Sequence, residues 1–379
     1  MRWRLAGIDE ITAFRLVFRD ERTTDVHGSG RLVWAGRTLH WTPEGPYAHL
    51  FYTVAIDHRR PAAGPHFDAH GAPDWIAARA WHLFPEINVS FAPGVSLTEP
   101  TARLIFELPP GWHSAAVGER LAANVYRVQE AGRQFARPRG WFLLGTLRTR
   151  TRDFAGLQVT VAVAPGSALD PQRLLHLYRD TLPELPALLG PAPPRLLVVS
   201  APDPMWHGGL SGEESFFVNG HIPLRSADGT SSYLHELFHV WAPFDVGPDG
   251  HWVSEGLAEY YTLMLQHRAG RCTDADVTRA LDLFRRYGRW QVDLTHTRIP
   301  AALNNSAPLV MAALDQRIRA DSHGHHQLDD AVRALIAGGR AVTTARWRAA
   351  VERASGSDLA GFFREHVVGG NPPQPPSSP

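Results

Sequence analysis

Residues 235–239 read His-Glu-Leu-Phe-His, and this spacing constrains the local fold more than any other feature of the chain. In a helix, His235 and His239 are separated by about 40° of rotation, so both imidazoles leave the same face and can bind one ion. Glu236 lies beside them and is free to take a proton from a water bound to that ion. The segment must therefore form a helix that presents this face to a cleft.

A third metal ligand is expected in the segment that follows the motif. Glu255 stands in a second helical pattern, after a turn rich in proline and glycine that lets the chain reverse and return a carboxylate to the ion. Three protein ligands and one open water position are typical of a catalytic zinc, whereas a structural zinc takes four ligands. We therefore predict Zn²⁺ held by His235, His239 and Glu255. Glu259, one turn further, either hydrogen-bonds a ligand histidine or faces solvent.

Two other residues compete for the place of the third ligand. Asp245 stands where metzincin-type sites place theirs, but Ala242 occupies the position that needs glycine in that pattern. His251 lies in the same gap without a distinctive spacing. A later group of histidines is more typical of a polar turn than of a second metal site: His323, His325 and His326. One ion suffices for the predicted chemistry.

Composition limits the class of protein. A chain of 379 residues with 44% hydrophobic residues predicts two globular domains. The formal net charge of zero argues against nucleic acid or an anionic membrane as a partner. The single cysteine, Cys272, excludes an intramolecular disulfide and a thiolate zinc cage. No apolar stretch has the length of a signal peptide or membrane span. The default expectation is a cytoplasmic protein, or a secreted or periplasmic one if an upstream leader is missing, and the oligomeric state is left open.

The first 168 residues predict an all-β domain, because short apolar runs alternate with turn signals. The predicted strands cover 11–18, 31–41, 47–56, 103–108 and 141–164. Residues 58–82 contain several prolines and glycines and predict a long loop.

A second domain is predicted over residues 169–370, beginning where Asp170 can cap a helix that has Pro171 in its first turn. A strand is expected at 195–200 and a short edge strand at 216–218, which could pair with an extended peptide. The predicted helices cover 231–242, 252–267, 274–287, 307–321, 327–337, 344–354 and 358–367. Residues 371–379 predict a disordered, proline-rich tail.

The residues around the motif resemble the glycyl aminopeptidase family of gluzincin zinc metallopeptidases, which are related to aminopeptidase N and thermolysin. The similar segments follow in family order and are 208–210, 232–241, 252–256, 309–319, 328–330 and 356–363. The resemblance implies an α+β protein in which an amino-terminal all-β domain precedes a thermolysin-like, mostly helical zinc peptidase domain. The PDZ module that the family often carries does not follow the closing helix in this sequence.

The resemblance also implies functional roles. His235, His239 and Glu255 would be the zinc ligands, Glu236 the general base, and a peptide or protein the substrate. Gly208, Gly209 and Leu210 match the family's Gly-Gly-Leu segment and are expected to contact substrate. We expect a zinc-dependent metallopeptidase, with the choice between exopeptidase and endopeptidase left open. The alternative is a catalytically weakened zinc scaffold that binds peptides or proteins.

Two departures from the family pattern bear on that choice. The Gly-Gly-Leu segment should continue with Glu-His, yet Ser211 follows, and the missing glutamate holds the substrate's amino terminus in aminopeptidase relatives. Glu213 or Glu214 could replace it. The tyrosine that stabilises the oxyanion in the wider group is replaced by Asn304. The candidates to take over its role, or to contact substrate otherwise, are Tyr261, Tyr287 and Asn304 itself.

Overall fold

The computed structural model describes residues 1–19, 22–60, 66–95, 102–129, 135–242 and 244–374. Its amino-terminal part is built from short strands in which buried and exposed residues alternate, as in Ile11–Val17, where Phe14 and Leu16 face the core. The strands are β1 Arg2–Ala6, β2 Ile11–Val17, β3 Thr23–Gly28, β4 Arg31–Ala35, β5 Thr38–Thr42, β6 Tyr47–Val54, β7 His58–Arg59, β8 Phe67–Gly71, β9 Trp75–Arg79, β10 Glu86–Phe91, β11 Ala102–Ile105, β12 His113–Ala116, β13 Glu119–Ala122, β14 Val125–Val128 and β15 Trp141–Gly145. One short helix, α1 Ala80–Leu83, interrupts them.

These strands form four sheets, with the orders β1-β6-β3, β10-β2-β5-β4, β11-β14-β13 and β12-β15-β9-β8-β7. The prediction of a long loop over 58–82 is wrong, because the described part of that segment contains β7, β8, β9 and α1. Strand β9 is rich in alanine and has low intrinsic β propensity. It forms a strand because it pairs with β15 and β8 inside a sheet, so tertiary contacts override the local preference.

The second part of the chain contributes a five-stranded sheet of β16 Arg148–Phe154, β17 Leu157–Val163, β18 Arg195–Ser200, β19 Gly209–Gly212 and β20 Ser215–Val218. Its order is β16-β17-β18-β20-β19, with β17, β18 and β20 parallel. The expectation that 216–218 is an edge strand is wrong, because β20 is paired on both sides. The edge strand is β19. The sheet also crosses the predicted domain boundary after residue 168, and we propose that the second unit begins near Arg148.

Helices cover one face of this sheet and extend beyond it. They are α2 Pro171–Thr181, α3 Leu185–Leu189, α4 Ser232–Trp241, α5 His251–Arg268, α6 Asp274–Tyr287, α7 Ala307–Asp321, α8 Leu328–Ala337, α9 Thr344–Ser355 and α10 Ala360–Phe362. A 3₁₀ turn, Leu182–Glu184, and two π-helical segments, Ala302–Ser306 and Phe363–Val368, join this set. The predicted cap is confirmed, since the Asp170 side chain accepts a hydrogen bond from the Gln172 amide. Helix α5 is buried along most of its length and forms the centre of the helical core.

The predicted fold class, a β-rich amino-terminal region followed by a mostly helical region, is confirmed. The predicted disordered tail starts too early. The Asn371 amide donates a hydrogen bond to the Glu365 carbonyl, and Pro373 is buried. The remainder of that tail, 375–379, lies outside the described residues. None of the helices in the described part of the chain combines the length and hydropathy that a membrane span requires.

Trp141 connects the amino-terminal sheets to the second sheet. Its side chain is fully buried and stacks on Phe217 of β20 with ring centroids 5.1 Å apart. Its indole N–H donates a 2.9 Å hydrogen bond to the Leu210 carbonyl, and its backbone N–H donates one to the Ser215 hydroxyl. Strand β19 is therefore held in place by a residue of the amino-terminal part that packs on the face of the sheet.

We predict that Trp141→Ala lowers the free energy of unfolding by about 3–5 kcal/mol, the usual cost of deleting a buried tryptophan side chain. Urea unfolding followed by circular dichroism measures this change. Tyr47→Ala is the matched control, because Tyr47 is 74% exposed, and it should change the free energy of unfolding by less than about 0.5 kcal/mol. Equal effects of the two substitutions would contradict the linking role of Trp141.

Candidate metal centre

Helices α4 and α5 bring the predicted ligands together. Helix α4 buries Leu234, Leu237 and Phe238 in the helical core, which leaves His235 and His239 on the other side, facing α5. The connection between the two helices is fixed by β21 Asp245–Val246, which pairs in parallel with β22 Ala341–Val342. A Cβ atom on Gly250, at the start of α5, would lie 2.2 Å from the Val342 carbonyl oxygen. Glycine at this position allows the close approach that returns α5 to α4.

The three predicted ligands lie within metal-binding distance of one another. His235 Nε2 is 3.0 Å from His239 Nε2 and 3.3 Å from Glu255 Oε2. His239 Nε2 is 3.6 Å from Glu255 Oε1. Tetrahedral zinc with ligand bonds of about 2.0–2.1 Å has ligand atoms about 3.3 Å apart. The donor set and its spacing therefore fit a zinc ion, and these three residues form one of two such groups among the described residues.

Glu259 orients one of the imidazoles. Its Oε2 lies 2.7 Å from His235 Nδ1, and each of the two side chains is less than one-seventh exposed. A carboxylate at Nδ1 keeps the proton on that nitrogen and leaves the Nε2 lone pair toward the ion. Burial by itself lowers the pKa of His235, yet hydrogen bonds to Glu255 and Glu259 raise it well above its usual value.

The carboxylates of the centre carry more negative charge than the protein groups around them neutralise. Burial favours the protonated form of Glu255, but His239 and His235 hold its pKa well below the usual range. Burial raises the pKa of Glu236, and the two imidazoles only partly oppose this. Together with Glu259, three carboxylates surround two imidazoles. A divalent cation at Nε2 of both histidines would offset this excess charge.

Glu236 lies directly under the edge strand β19. Only 7% of Glu236 is exposed, and a Cβ atom on Gly209 would lie 2.3 Å from its Oε1 and 2.5 Å from its Cγ. The carboxylate therefore occupies the space in which any other residue at 209 would place its side chain. Within the described residues, no strand pairs with the outer side of β19. The unpaired edge of the strand, Glu236 and the two histidines thus belong to one site, in which Glu255 is 28% exposed.

The structure places only some of the residues that are predicted to contact substrate beside Glu236. Gly208, Gly209 and Leu210 lie at the start of β19, beside Glu236. Glu213 is exposed in the tight turn between β19 and β20, several residues along the strand from Gly209. Glu214, in the same turn, forms an ion pair with Arg139 at 3.2 Å. Because alternate strand residues share a face, Ser211 faces the same side as Gly209 and supplies a hydroxyl, not a carboxylate.

The expectation that Tyr261 contacts substrate needs correction. Its side chain is fully buried and stacks on Phe238, and its hydroxyl donates a 2.8 Å hydrogen bond to Asp329. It belongs to the core behind the metal centre. Tyr287 is 59% exposed at the end of α6. Asn304 is exposed in the π-helical segment Ala302–Ser306, which packs against α5.

The competing third ligands lie elsewhere. Asp245 is exposed in β21, where Arg340 approaches its carboxylate at 3.6 Å. His251 is the first residue of α5, one turn before Glu255, and is not part of the three-ligand group. The residue that sequence reasoning missed is Trp141, which holds Leu210 in place. No sequence signal connects these two residues, because they are 69 positions apart.

Several solved structures share the fold of this chain. An aminopeptidase N family protein from Idiomarina loihiensis matches with a TM-score of 0.68 and 14% identity, over 99% of this chain and 74% of that one. An M1 zinc metallopeptidase from Deinococcus radiodurans matches with a TM-score of 0.63 and 16% identity, over 100% and 91%. Aminopeptidase A from Legionella pneumophila matches with a TM-score of 0.57 and 15% identity, over 95% and 45%.

At these identities the matches establish the fold. They confirm, at that level, the resemblance to gluzincin aminopeptidases that the sequence motifs indicate. No protein-family profile matches the sequence, and no curated protein matches it.

We predict that Glu259→Gln weakens zinc binding by about 10- to 100-fold, because the hydrogen bond that orients His235 loses its charge. Competition with a coloured zinc chelator measures the affinity. Asp245→Asn is the matched control and should leave the affinity unchanged. A loss of zinc in Asp245→Asn, with normal affinity in Glu259→Gln, would mean that the third ligand is Asp245.

Proposed function

We propose that the protein is a zinc-dependent peptidase that hydrolyses peptide bonds, with Glu236 as general base. The observation that supports this most strongly is the position of Glu236. Its carboxylate is buried against the edge strand, on the residue next to His235 and outside the three-ligand group. A carboxylate there can serve as a base for a zinc-bound water, which a closed four-ligand site does not have.

His235, His239 and Glu255 would hold the zinc ion, and Glu259 fixes the ring of His235. The ion would supply a Lewis acid that polarises the scissile carbonyl and lowers the pKa of a bound water to about 7. Glu236 accepts a proton from the attacking water at its carboxylate and delivers it to the leaving amine.

Strand β19 is proposed to align the substrate. An extended peptide that pairs with its open edge would lie across Glu236, with main-chain hydrogen bonds setting the register. The proposal requires no free amino terminus, since Ser211 stands on the cleft side of β19 where a carboxylate would be needed to bind an ammonium group. Peptides with a blocked amino terminus therefore belong among the proposed substrates.

We predict that Glu236→Gln lowers kcat by about 10²–10⁴-fold while zinc content stays normal, since glutamine keeps the shape of the side chain but cannot accept the proton. Peptide-library cleavage followed by mass spectrometry, together with metal analysis, measures both quantities. Glu214→Gln is the matched control, because that glutamate is paired with Arg139. A wild-type protein that binds zinc and peptides but cleaves none would instead favour the peptide-binding scaffold.

We also predict that Gly209→Ala lowers kcat by at least about tenfold, because the new methyl group takes the space of the Glu236 carboxylate. Steady-state kinetics on a cleaved peptide measures the change. Gly361→Ala is the control, since a Cβ atom there meets nothing within 4 Å. Normal turnover in Gly209→Ala would show that Glu236 does not act from the position described.

A further inference from the structure

A second group of metal-binding side chains lies among the amino-terminal sheets. Among the described residues, two groups of three or more such residues bring their ligand atoms within 4.8 Å of one another. One is the centre at His235. The other consists of His58, Asp68 and His82, and the proposed peptidase function makes no use of it.

The fold assembles this second group from three separate elements. His58 belongs to β7, which pairs with β8, and Asp68 belongs to β8. His82 lies in α1, directly after β9, which is the other neighbour of β8. The side chains of Asp68 and His82 are at least nine-tenths buried, whereas that of His58 is 35% exposed and leaves the group a path to solvent.

The two oxygens of Asp68 have different partners. Oδ1 contacts His58 Nδ1 and lies 3.6 Å from His82 Nε2, which is close to the ligand separation of about 3.3 Å in tetrahedral zinc. Oδ2 accepts a 3.4 Å hydrogen bond from Arg79. Carboxylates that bind a metal through one oxygen are commonly hydrogen-bonded from outside through the other. Oδ1 is therefore the oxygen that lies near both imidazoles and could bind an ion together with them.

Unsatisfied polar atoms are concentrated at this group. Four buried side-chain polar atoms of the described residues have no hydrogen-bond partner, and two of them are His82 Nδ1 and Arg79 Nε. An ion at His82 Nε2 would satisfy neither atom, because Arg79 Nε is a donor and Nδ1 is the other nitrogen of the imidazole ring, so the case for an ion rests on the distances between the ligand atoms. His82 Nε2 does have a partner, the indole N–H of Trp81 at 2.9 Å. Trp81 is 39% exposed, and the Arg79 guanidinium lies 4.0 Å from the centroid of its ring, so an ion at His82 Nε2 would have to displace the indole from this contact.

We propose that His58, Asp68 and His82 bind a second divalent transition-metal ion of the zinc type, which fastens β7 and α1 to β8. Two imidazole nitrogens and one carboxylate oxygen favour such an ion over Mg²⁺ or Ca²⁺, which prefer oxygen ligands. The ion links residues that are 10 to 24 positions apart in sequence, so its binding energy stabilises this corner of the fold. With three protein ligands the group leaves the fourth position of the ion to water, unlike a closed four-ligand site, and its proposed role of fastening these elements is independent of peptide hydrolysis.

The test is the zinc content of the full chain after zinc loading and passage over a weak chelating resin. Wild-type protein should retain two zinc ions per chain. Asp68→Asn and His58→Gln should each retain one, and so should His235→Ala, which disables the other centre. His113→Gln is the matched control, because that histidine is exposed in β12, and it should retain two. Trp81→Phe removes the competing N–H donor and should retain two ions as well.

Circular dichroism of each variant establishes that it is folded. His58→Gln decides the matter if Asp68→Asn fails to fold, since His58 is partly exposed. One zinc per chain in the wild type, with none left in His235→Ala, would overturn the proposal. Two ions in both His58→Gln and Asp68→Asn would overturn it too, because the second ion would then lie elsewhere.

Discussion

Three glutamate carboxylates lie close together where α4 crosses α5, and the rest of the site depends on keeping these carboxylates in this position. Glu236, Glu255 and Glu259 surround two imidazoles at the crossing. Burial raises the pKa of Glu236, while the histidines keep the pKa of Glu255 low. Such an arrangement is costly without a cation, because buried like charges repel and, among the described residues, the ion pairs of Glu255 and Glu259 are with histidines alone. The three ligands are spaced as they are around tetrahedral zinc, and the positive charge of such an ion would balance these carboxylates.

The edge strand β19 depends on the amino-terminal part of the chain. Trp141 donates to the Leu210 carbonyl and packs on the neighbouring strand, so the edge strand is held by both parts of the protein. Apolar residues of both parts share one buried cluster across this contact. The β-rich part therefore contributes to the candidate site through packing, although it contributes none of the three ligands at His235.

The sequence predicts the helical part well because its signals are local. Helices 274–287 and 307–321 agree with the structure to the residue, and the predicted cap Asp170 lies directly before α2, whose start it fixes. The ligand triad is local as well, since two helices and one turn contain it. Strand β9 could not be predicted because its strand character comes from its partners in the sheet.

The errors about individual residues also have long-range causes. Helical periodicity does not reveal which buried face of α5 is turned toward the cleft, and Tyr261 is turned away because Asp329 takes its hydroxyl. The pairing of β20 depends on β18 and β19, which only the folded sheet reveals. The group at His58 escaped sequence reasoning because its three residues come from two strands and a helix within a segment that resembles a loop.

The central claim is that His235, His239 and Glu255 form a three-ligand zinc centre with one open position next to Glu236. Anomalous diffraction at the zinc absorption edge, from crystals of zinc-loaded protein, tests it most directly. We expect an anomalous peak about 2 Å from the Nε2 atoms of both histidines and from a Glu255 oxygen, with no fourth protein ligand. A peak coordinated by Asp245 or by a fourth side chain, or no peak at this place, would contradict it.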